Sequence, residues 1–444
     1  MSSHSVRRSV ELYQRAGEVI PGWTQLISRR ASQYANGISP VYATSAKGSR
    51  FTDVDGNEYI DWVSALGAIV LGHADDVVDT AVKEQIDRGS LFSINHPLEI
   101  ELAEALIETI PSAEMVRYAK GGGEACAIAV RIARGVKERD KVLFCGYHGW
   151  HDWYQAANYL CDPEDGEYPF AGIEPIGVPK VLAGTAIPFA YGDLEMLRAL
   201  LEEHRGEVAC VMMEPMRSTL PDEGYLEDVK ALLREHDVIL IFDEVSCGFR
   251  VSPGGVQEYL GVTPDMTVLA KALGNGYPMG AVVGSREVME PASRMFISSS
   301  YWSDNVGLIA ALTTIQELKN RNSADRFKEI GEKLREGIGD AIRSAGMNGE
   351  VRGFYTSLGL HLELPDESLR PKVNTLYIQE MARRGVHCLP GFKACLAHSD
   401  KDIKDTAEAS EGAFGVIRKA LETDSVDERL ECNTRQDAFR RLVH

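Results

Sequence analysis

The stretch Val238-Ile-Leu-Ile-Phe-Asp-Glu-Val-Ser-Cys-Gly-Phe-Arg250 opens with an apolar, strand-like run that ends on Asp243. A second strand-like run, Met266 to Leu269, is followed by Ala270 and Lys271 and then by glycines. A carboxylate and a lysine, each at the carboxyl end of a buried strand, are what a pyridoxal phosphate (PLP) enzyme needs. The amine forms a Schiff base with the cofactor aldehyde, and the carboxylate keeps the pyridine nitrogen protonated. Lys271 and Asp243 are therefore the predicted catalytic pair.

The chain around this pair alternates between helical and strand patterns from about residue 67 to residue 320. Short apolar runs such as Lys141–Cys145, Val208–Met213 and Gly280–Gly284 lie between amphipathic segments. This alternation predicts an α/β fold with a mostly parallel sheet in a large domain, followed by a small α+β domain. The expected division is an N-terminal segment (1–66) packing with the small domain, a large PLP-binding domain (67–322) and a small C-terminal domain (323–444). Within the last of these, the alternating segment 351–364 is expected to be a strand.

Net charge and cysteine spacing indicate which partners and which compartment suit this protein. The chain has 444 residues and a formal net charge of −19, with acidic residues spread along it. This disfavours nucleic acid and membrane surfaces as partners, because both attract basic patches. Eight cysteines, Cys161 among them, show no Cys-x-x-Cys pairing, and the sequence offers no apolar leader or bilayer-spanning run. We expect a cytoplasmic protein with free thiols.

Two segments upstream of the catalytic pair are candidates for holding the cofactor. Gly121-Gly-Gly123 precedes a helical pattern, and glycines let a backbone approach an anion at the first free N–H groups of a helix. Tyr147, after the Lys141–Cys145 strand, is placed to stack on a flat ring, and Val245 is placed to cover the opposite face. His148, His151 and Asp152 suggest a metal site, but neighbours on one loop rarely complete a ligand set, so no metal is expected.

The segments 116–133, 141–153, 239–251 and 271–284 resemble those of class III PLP-dependent aminotransferases. Within that class the chain is most similar to glutamate-1-semialdehyde 2,1-aminomutase and its aminotransferase relatives. The resemblance runs from about Pro21 to Leu421. It implies the aspartate aminotransferase-like fold of PLP-dependent transferases, with a seven-stranded sheet in the large domain, and a homodimer with active sites at the interface.

The resemblance also implies residue roles. Lys271 would carry the internal aldimine and shuttle a proton, and Asp243 would pair with the pyridinium nitrogen. The other implied cofactor contacts are Gly121, Gly122, Gly123, Tyr147, His148, Glu214, Val245 and, across the dimer, Ser300 or Tyr301. The arginine that binds the substrate carboxylate would fall at Arg29 or Arg30.

Departures from the family pattern concern the phosphate and the substrate. Relatives carry a hydroxyl-bearing triplet where this chain has Gly121-Gly-Gly123. The acidic gating residue of the aminomutase is absent near Lys393, and the region 385–394 has no arginine before a Pro-Pro pair.

The expected function is transfer of an amino group from an amino-acid donor to a carbonyl acceptor through the pyridoxamine form of the cofactor. An aminomutase that moves the group within one molecule is the alternative. A racemase or a decarboxylating enzyme also uses this fold, because the choice of bond depends on substrate orientation. A non-catalytic binding protein is disfavoured because Lys271 and Asp243 are both present.

Overall fold

The structure, a computed structural model, describes residues 5–160, 170–171, 174–436 and 440–441. Cys161, much of the segment 150–168 and the end of the chain lie outside these residues. The helices are α1 (Arg7–Val19), α2 (Ser64–Gly67), α3 (Asp76–Arg88), α4 (Leu98–Thr109), α5 (Gly122–Lys137), α6 (Asp152–Gln155), α7 (Leu194–Glu203), α8 (Tyr225–Glu235), α9 (Gly255–Leu260), α10 (Arg286–Met289), α11 (Asn305–Asn320), α12 (Ser323–Ser344), α13 (Arg370–Arg383), α14 (Asp400–Glu422) and α15 (Val426–Arg429). The strands are β1 (Ala43–Lys47), β2 (Arg50–Asp53), β3 (Glu58–Asp61), β4 (Met115–Ala119), β5 (Lys141–Cys145), β6 (Phe170–Ala171), β7 (Ala186–Pro188), β8 (Val208–Met213), β9 (Ile239–Asp243), β10 (Met266–Leu269), β11 (Gly280–Gly284), β12 (Gly349–Phe354), β13 (Ser357–Leu362), β14 (Val386–His387), β15 (Gly391–Phe392) and β16 (Arg440–Arg441).

The described residues form two compact units. Residues 5–75 and 325–436 make up one, the small unit, and residues 76–324 with 440–441 make up the other, the large unit. The three-part division expected from the sequence, with borders at 66/67 and 322/323, stays a prediction.

The large unit is built on a seven-stranded sheet in the order β4-β11-β10-β9-β8-β5-β7. Strand β11 is antiparallel to both of its neighbours, and the pairs from β10 to β7 are all parallel. Every residue of β8, β9, β10 and β11 is buried, which is typical of strands covered on both faces. The expected α/β fold with a mostly parallel sheet is confirmed.

Helix α5 covers one face of this sheet. Its buried side chains include Cys126, Ile128 and Ile132, which join Val268 and Val282 of the sheet in one apolar cluster. Ile128 and Ile132, four residues apart, lie on one face of the helix because a helix turns once in 3.6 residues. The packing fixes the first turn of α5 beside the carboxyl ends of the strands.

The small unit contains two sheets, β1-β2-β3-β14 and β12-β13-β15. The strand structure expected over 351–364 is present, and it is divided into β12 and β13, an antiparallel hairpin that turns at Tyr355 and Thr356. These two residues carry no Asn-Gly or Asp-Gly signal, so the alternating pattern ran through the turn unbroken.

Among the described residues, no helix combines the length and apolar character needed to cross a bilayer.

A buried histidine packs inside the small unit. The His398 ring stacks on the indole of Trp62 with centroids 3.8 Å apart, and its Nδ1 accepts a hydrogen bond from the Cys395 N–H at 3.0 Å. Burial lowers the pKa of His398 from 6.5 to about 4. The unfolded chain therefore binds a proton at this residue more readily than the folded chain does, from about pH 6.5 down to about pH 4.

We expect this histidine to make the protein less stable as the pH falls through that window. The loss attributable to His398 between pH 6.5 and about pH 5 is on the order of 1.5 kcal/mol. The variant His398→Asn keeps an acceptor for the Cys395 N–H but does not titrate, so its urea midpoint should depend less on pH than that of the wild type. Parallel pH profiles for the two proteins would contradict this.

Candidate active site

The two predicted catalytic residues lie at the carboxyl ends of adjacent parallel strands. Asp243 is the last residue of β9 and is in register with Val268 of β10. The Glu244 N–H donates to the Val268 carbonyl at 3.0 Å, which extends the pairing by one bond. Lys271 begins a short 3₁₀ turn (Lys271–Gly274) with φ +48°, a left-handed conformation that side chains other than glycine seldom adopt. Such strain often accompanies function.

Asp243 is a buried carboxylate surrounded by donors. Its Oδ1 accepts from the Val245 N–H at 3.0 Å, and its Oδ2 lies 2.7 Å from Nδ1 of His148 and 3.5 Å from Sγ of Cys126. An ionised carboxylate only accepts, so an ionised Asp243 requires the proton of this pair on Nδ1 of His148. His148 is itself buried, so the aspartate is held by groups that cannot turn away to solvent.

The same three side chains have the geometry of a metal site. The ligand atoms of Cys126, His148 and Asp243 lie within 4.8 Å of one another, in the part of the chain that the structure describes. Burial raises the pKa of the Cys126 thiol well above its usual value, with the charge of Asp243 adding to the effect. A metal would need the thiolate, so the arrangement is better explained as a hydrogen-bond network that holds Asp243.

Lys271 meets a hydroxyl group from the turn after β9. Its Nζ lies 2.6 Å from Oγ of Ser246, three residues after Asp243. One short turn therefore contacts the amine and carries the carboxylate.

The predicted phosphate loop lies at the start of α5. Gly121 is extended and caps the helix, and Gly122 and Gly123 form its first turn, where N–H groups have no intrahelical acceptor. A Cβ on Gly122 would lie 2.7 Å from a methyl group of Val245. Glycine at this position thus lets the segment after Asp243 approach the phosphate loop.

A second loop, between β5 and α6, comes close to the first. A Cβ on Gly149, whose φ is +105°, would lie 2.6 Å from Cα of Gly123. The contact brings the His151 ring to Gly123, and Nδ1 of His151 is buried without a hydrogen-bond partner among the described residues. His151 does not join His148 in a described metal-type cluster, although the two lie on one loop.

Tyr147 lies on this second loop, and Glu214 lies beside it. Tyr147 is partly buried against the core cluster that contains Phe144 and Val268. Glu214 is buried after β8, and a Cβ on Gly146 would lie 2.7 Å from its Oε2. Arg217 lies 3.5 Å from the same carboxylate oxygen, which offsets part of the cost of burying its charge.

The other predicted residues are Ser300 and Tyr301 of the large unit and Arg29 and Arg30 of the small unit. Ser300 and Tyr301 are exposed on the segment before α11. Arg29 lines a cavity of about 530 Å³ within the small unit, together with Tyr34, Asp61, His73 and His387. Arg30 is outside that lining, and one of its terminal guanidinium nitrogens lies near Gly22.

Sequence reasoning missed two contributors, Ser246 and Cys126. Both stood in quoted motifs, but neither spacing nor residue type distinguished them from ordinary turn and core residues. Cys126 lies four residues, about one helical turn, after Gly122. This spacing could have predicted that it lies on the same face of α5 as Gly122.

These residues fit PLP. The site has a carboxylate that accepts hydrogen bonds and a lysine amine just after the end of the neighbouring strand. It also has a helix that begins with three glycines, whose backbone is not covered by side chains of their own. Open space at the helix start supports the fit, because a Cβ on Gly121 would have no described atom within 4 Å outside its chain neighbours.

Comparison with known proteins agrees with this chemistry. The family described as aminotransferase class-III matches residues 32–397. The chain is 36% identical to glutamate-1-semialdehyde 2,1-aminomutase of Methanothermobacter thermautotrophicus, over 93% of this chain and 100% of that protein. It is 33% identical to 3-aminobutyryl-CoA aminotransferase of Cloacimonas acidaminovorans, over 93% and 98% of the two chains. The crystal structure of an omega-transaminase from Sphaerobacter thermophilus superposes with a TM-score of 0.81 at 29% identity, covering 92% of this chain and 98% of that one.

The match covers most of the chain and agrees with the expected resemblance, cofactor and reaction class. The chain therefore belongs to the class-III aminotransferase family and is a PLP-dependent aminotransferase that acts on small molecules.

Proposed function

We propose that this enzyme transfers an amino group between two different molecules, from an amino-acid donor to a carbonyl acceptor. The observation that carries the assignment of residues is the pairing of β9 with β10, which brings Asp243 and Lys271 to one edge of the sheet. In the overall reaction the donor leaves as a carbonyl compound and the acceptor leaves as an amine, so there is no net oxidation. PLP, when bound, draws the electrons released at the substrate carbon into its ring.

Asp243 is the proposed partner of the cofactor's pyridine nitrogen. Two groups, the Val245 N–H and Nδ1–H of His148, hold its oxygens in place, and Cys126 adds a weak third donor. A negative charge fixed in a buried position keeps a proton on a nearby basic nitrogen, since the opposite charge favours the protonated form.

Lys271 is the proposed anchor and proton carrier. Its Nζ lies just after the end of β10 and contacts a hydroxyl group, which can accept a hydrogen bond from the amine or donate one to it. A flexible four-carbon stem lets this amine move a proton between two neighbouring atoms.

The start of α5 is the proposed phosphate position. Backbone N–H groups of Gly122 and Gly123 and the positive end of the helix favour an anion there. Val245 and Tyr147 are the proposed covers of the two ring faces.

The aminomutase is the second candidate because a 36% identical relative carries that name. Lys393 argues against it, since it replaces the acidic residue that the resemblance leads one to expect. Its N–H and C=O bond to Trp62 and Ser64 in the small unit, so its backbone is fixed.

We expect a single amino donor to convert the bound cofactor from its aldehyde form to its amine form. The measurement is the absorbance of the purified enzyme between about 300 and 500 nm during titration with a panel of amino acids, because the two forms absorb differently. A carbonyl acceptor should then restore the first spectrum. Isomerisation of glutamate-1-semialdehyde without any acceptor would favour the aminomutase instead.

The control for this titration is Lys271→Ala. Borohydride should fix the cofactor to the wild-type chain and not to this variant. A covalent adduct on another lysine would overturn the assignment of Lys271.

A second prediction concerns Asp243. We expect Asp243→Asn to keep the cofactor but to lose turnover by about 100-fold or more, because a neutral amide no longer favours the protonated pyridine nitrogen. Asp265→Asn is the matched control, since Asp265 accepts from the Leu240 N–H at the opposite end of the same strands. Near-normal turnover in Asp243→Asn would remove Asp243 from its role.

We also propose that the enzyme is a homodimer with Ser300 or Tyr301 reaching the partner's phosphate. Large apolar side chains are exposed on two segments of the large unit, among them Ile94 (82% exposed) and Phe296 (85% exposed). The Asn305 N–H donates to the Ser90 carbonyl at 2.7 Å, which ties the ends of these segments together. Large apolar side chains exposed to this degree support an interface on these segments.

Phe296→Asp should therefore convert a dimer into a species near the chain mass of 48.8 kDa in light scattering after gel filtration, and cofactor should be lost with it. Val181→Asp, at an equally exposed apolar residue (85%) on another segment, should leave the mass unchanged. A wild-type monomer with full activity would contradict the proposal.

A reducing compartment such as the cytoplasm is the proposed location. The seven cysteines that the structure describes are free, and five of them are buried. Unpaired buried thiols are typical of proteins kept in reducing surroundings.

A further inference from the structure

The turn after β9 contacts Lys271 through one side chain. Nζ of Lys271 and Oγ of Ser246 are 2.6 Å apart, a short hydrogen bond between partly buried groups. Ser246 follows Asp243 by three residues, and the Val245 N–H between them is bonded to the Asp243 carboxylate. The hydroxyl is thus held at a fixed place relative to the carboxylate.

The backbone of this turn is held on its other side as well. The Gly248 N–H donates to the Glu244 carbonyl at 2.8 Å, and a Cβ on Gly248 would lie 2.7 Å from that oxygen. The buried Glu244 carboxyl accepts from the Val256 N–H at 2.7 Å and the Gln257 N–H at 3.2 Å. A hydroxyl on such a turn is directed mainly by the backbone, because serine has one short side-chain rotor.

A hydroxyl suits an amine that changes protonation. It accepts from an ammonium group and donates to the lone pair of a neutral amine, so the contact persists in both states. An apolar residue at this position would remove this contact, so the turn would hold the amine less closely.

We infer that Ser246 is a positioning residue for Lys271, holding the amine beside the cofactor whenever the lysine is not covalently engaged. The inference rests on the proposed role of Lys271 as anchor. In this role Ser246 acts on the reaction only through Lys271 and does not contact the substrate.

The covalent step affected is the capture of the cofactor. The Nζ–carbon bond forms to the aldehyde carbon, the carbon–oxygen double bond is lost, and the oxygen leaves as water with two protons that the amine supplied. No oxidant or reductant takes part. An amine that is already oriented toward the aldehyde should react faster than a mobile one, because less orientational freedom is lost on reaching the transition state.

The test mixes apoenzyme with PLP and follows the absorbance of the covalent adduct. We expect Ser246→Ala to capture cofactor about tenfold more slowly, the effect of losing one hydrogen bond to a charged or chargeable group. Ser246→Thr, which keeps the hydroxyl, should capture at close to the wild-type rate. Cys247→Ala is the matched control, since it removes one polar atom from the same turn at a position where the sulfur faces the Asp243 carbonyl.

A second readout follows the proton. With an α-deuterated amino donor, the isotope effect on the first half-reaction should be larger in Ser246→Ala than in the wild type, while the KM for the donor stays the same. A structural role alone would lower the amount of folded enzyme and leave the isotope effect unchanged.

The outcomes separate this inference from the assignment of Lys271. Wild-type capture rate and isotope effect in Ser246→Ala, with borohydride still fixing the cofactor to Lys271, would overturn the role of Ser246 alone. A borohydride adduct on a different lysine would overturn both. Equal slowing in Ser246→Ala, Ser246→Thr and Cys247→Ala would show damage to the turn and would also reject the inference.

Discussion

The parallel pairing of β9 with β10 is the constraint on which the rest of the site depends. The register places Asp243 opposite Val268, and one further bond from Glu244 to Val268 continues the ladder past the end of β9. Lys271 follows in a turn too short to let it leave this edge of the sheet. A slip of one residue would point the aspartate to the other face of the sheet, because side chains alternate along a strand.

Asp243 and Glu244 are consecutive buried residues, and their carboxyl groups bond to different partners. Asp243 meets a histidine, a thiol and a backbone N–H, whereas Glu244 caps the start of α9. Burial raises the pKa of Glu244 to about 7, partly against its hydrogen bonds from Val256 and Gln257. The aspartate thus has polar partners that hold it in place, while the glutamate fixes the turn that carries Ser246.

Much of this arrangement was predictable because it is local. Apolar runs predicted β5, β8, β10 and β11 with the observed ends, since every residue of these strands except Lys141 is buried. The periodicity of 351–364 did not reveal the turn at Tyr355 and Thr356, because neither residue is typical of turns. It also could not find the contact of Ser246 with Lys271 or that of Cys126 with Asp243, because both join segments distant in sequence. Arg29 and Arg30 differ by one position, and only the folded chain shows that the first lines a cavity and the second does not.

Strand β11 lies between β10 and β4 and is the only partner of β4 in the described sheet. The ribosome makes β4 and the glycine turn at the head of α5 long before it makes β11. Edge pairing of β4 must therefore wait until Gly284 has left the exit tunnel, even though β5, β8 and β9 can already assemble. The glycine turn proposed to bind the phosphate directly follows β4, so its link to the sheet through β4 forms only after β11 has been made.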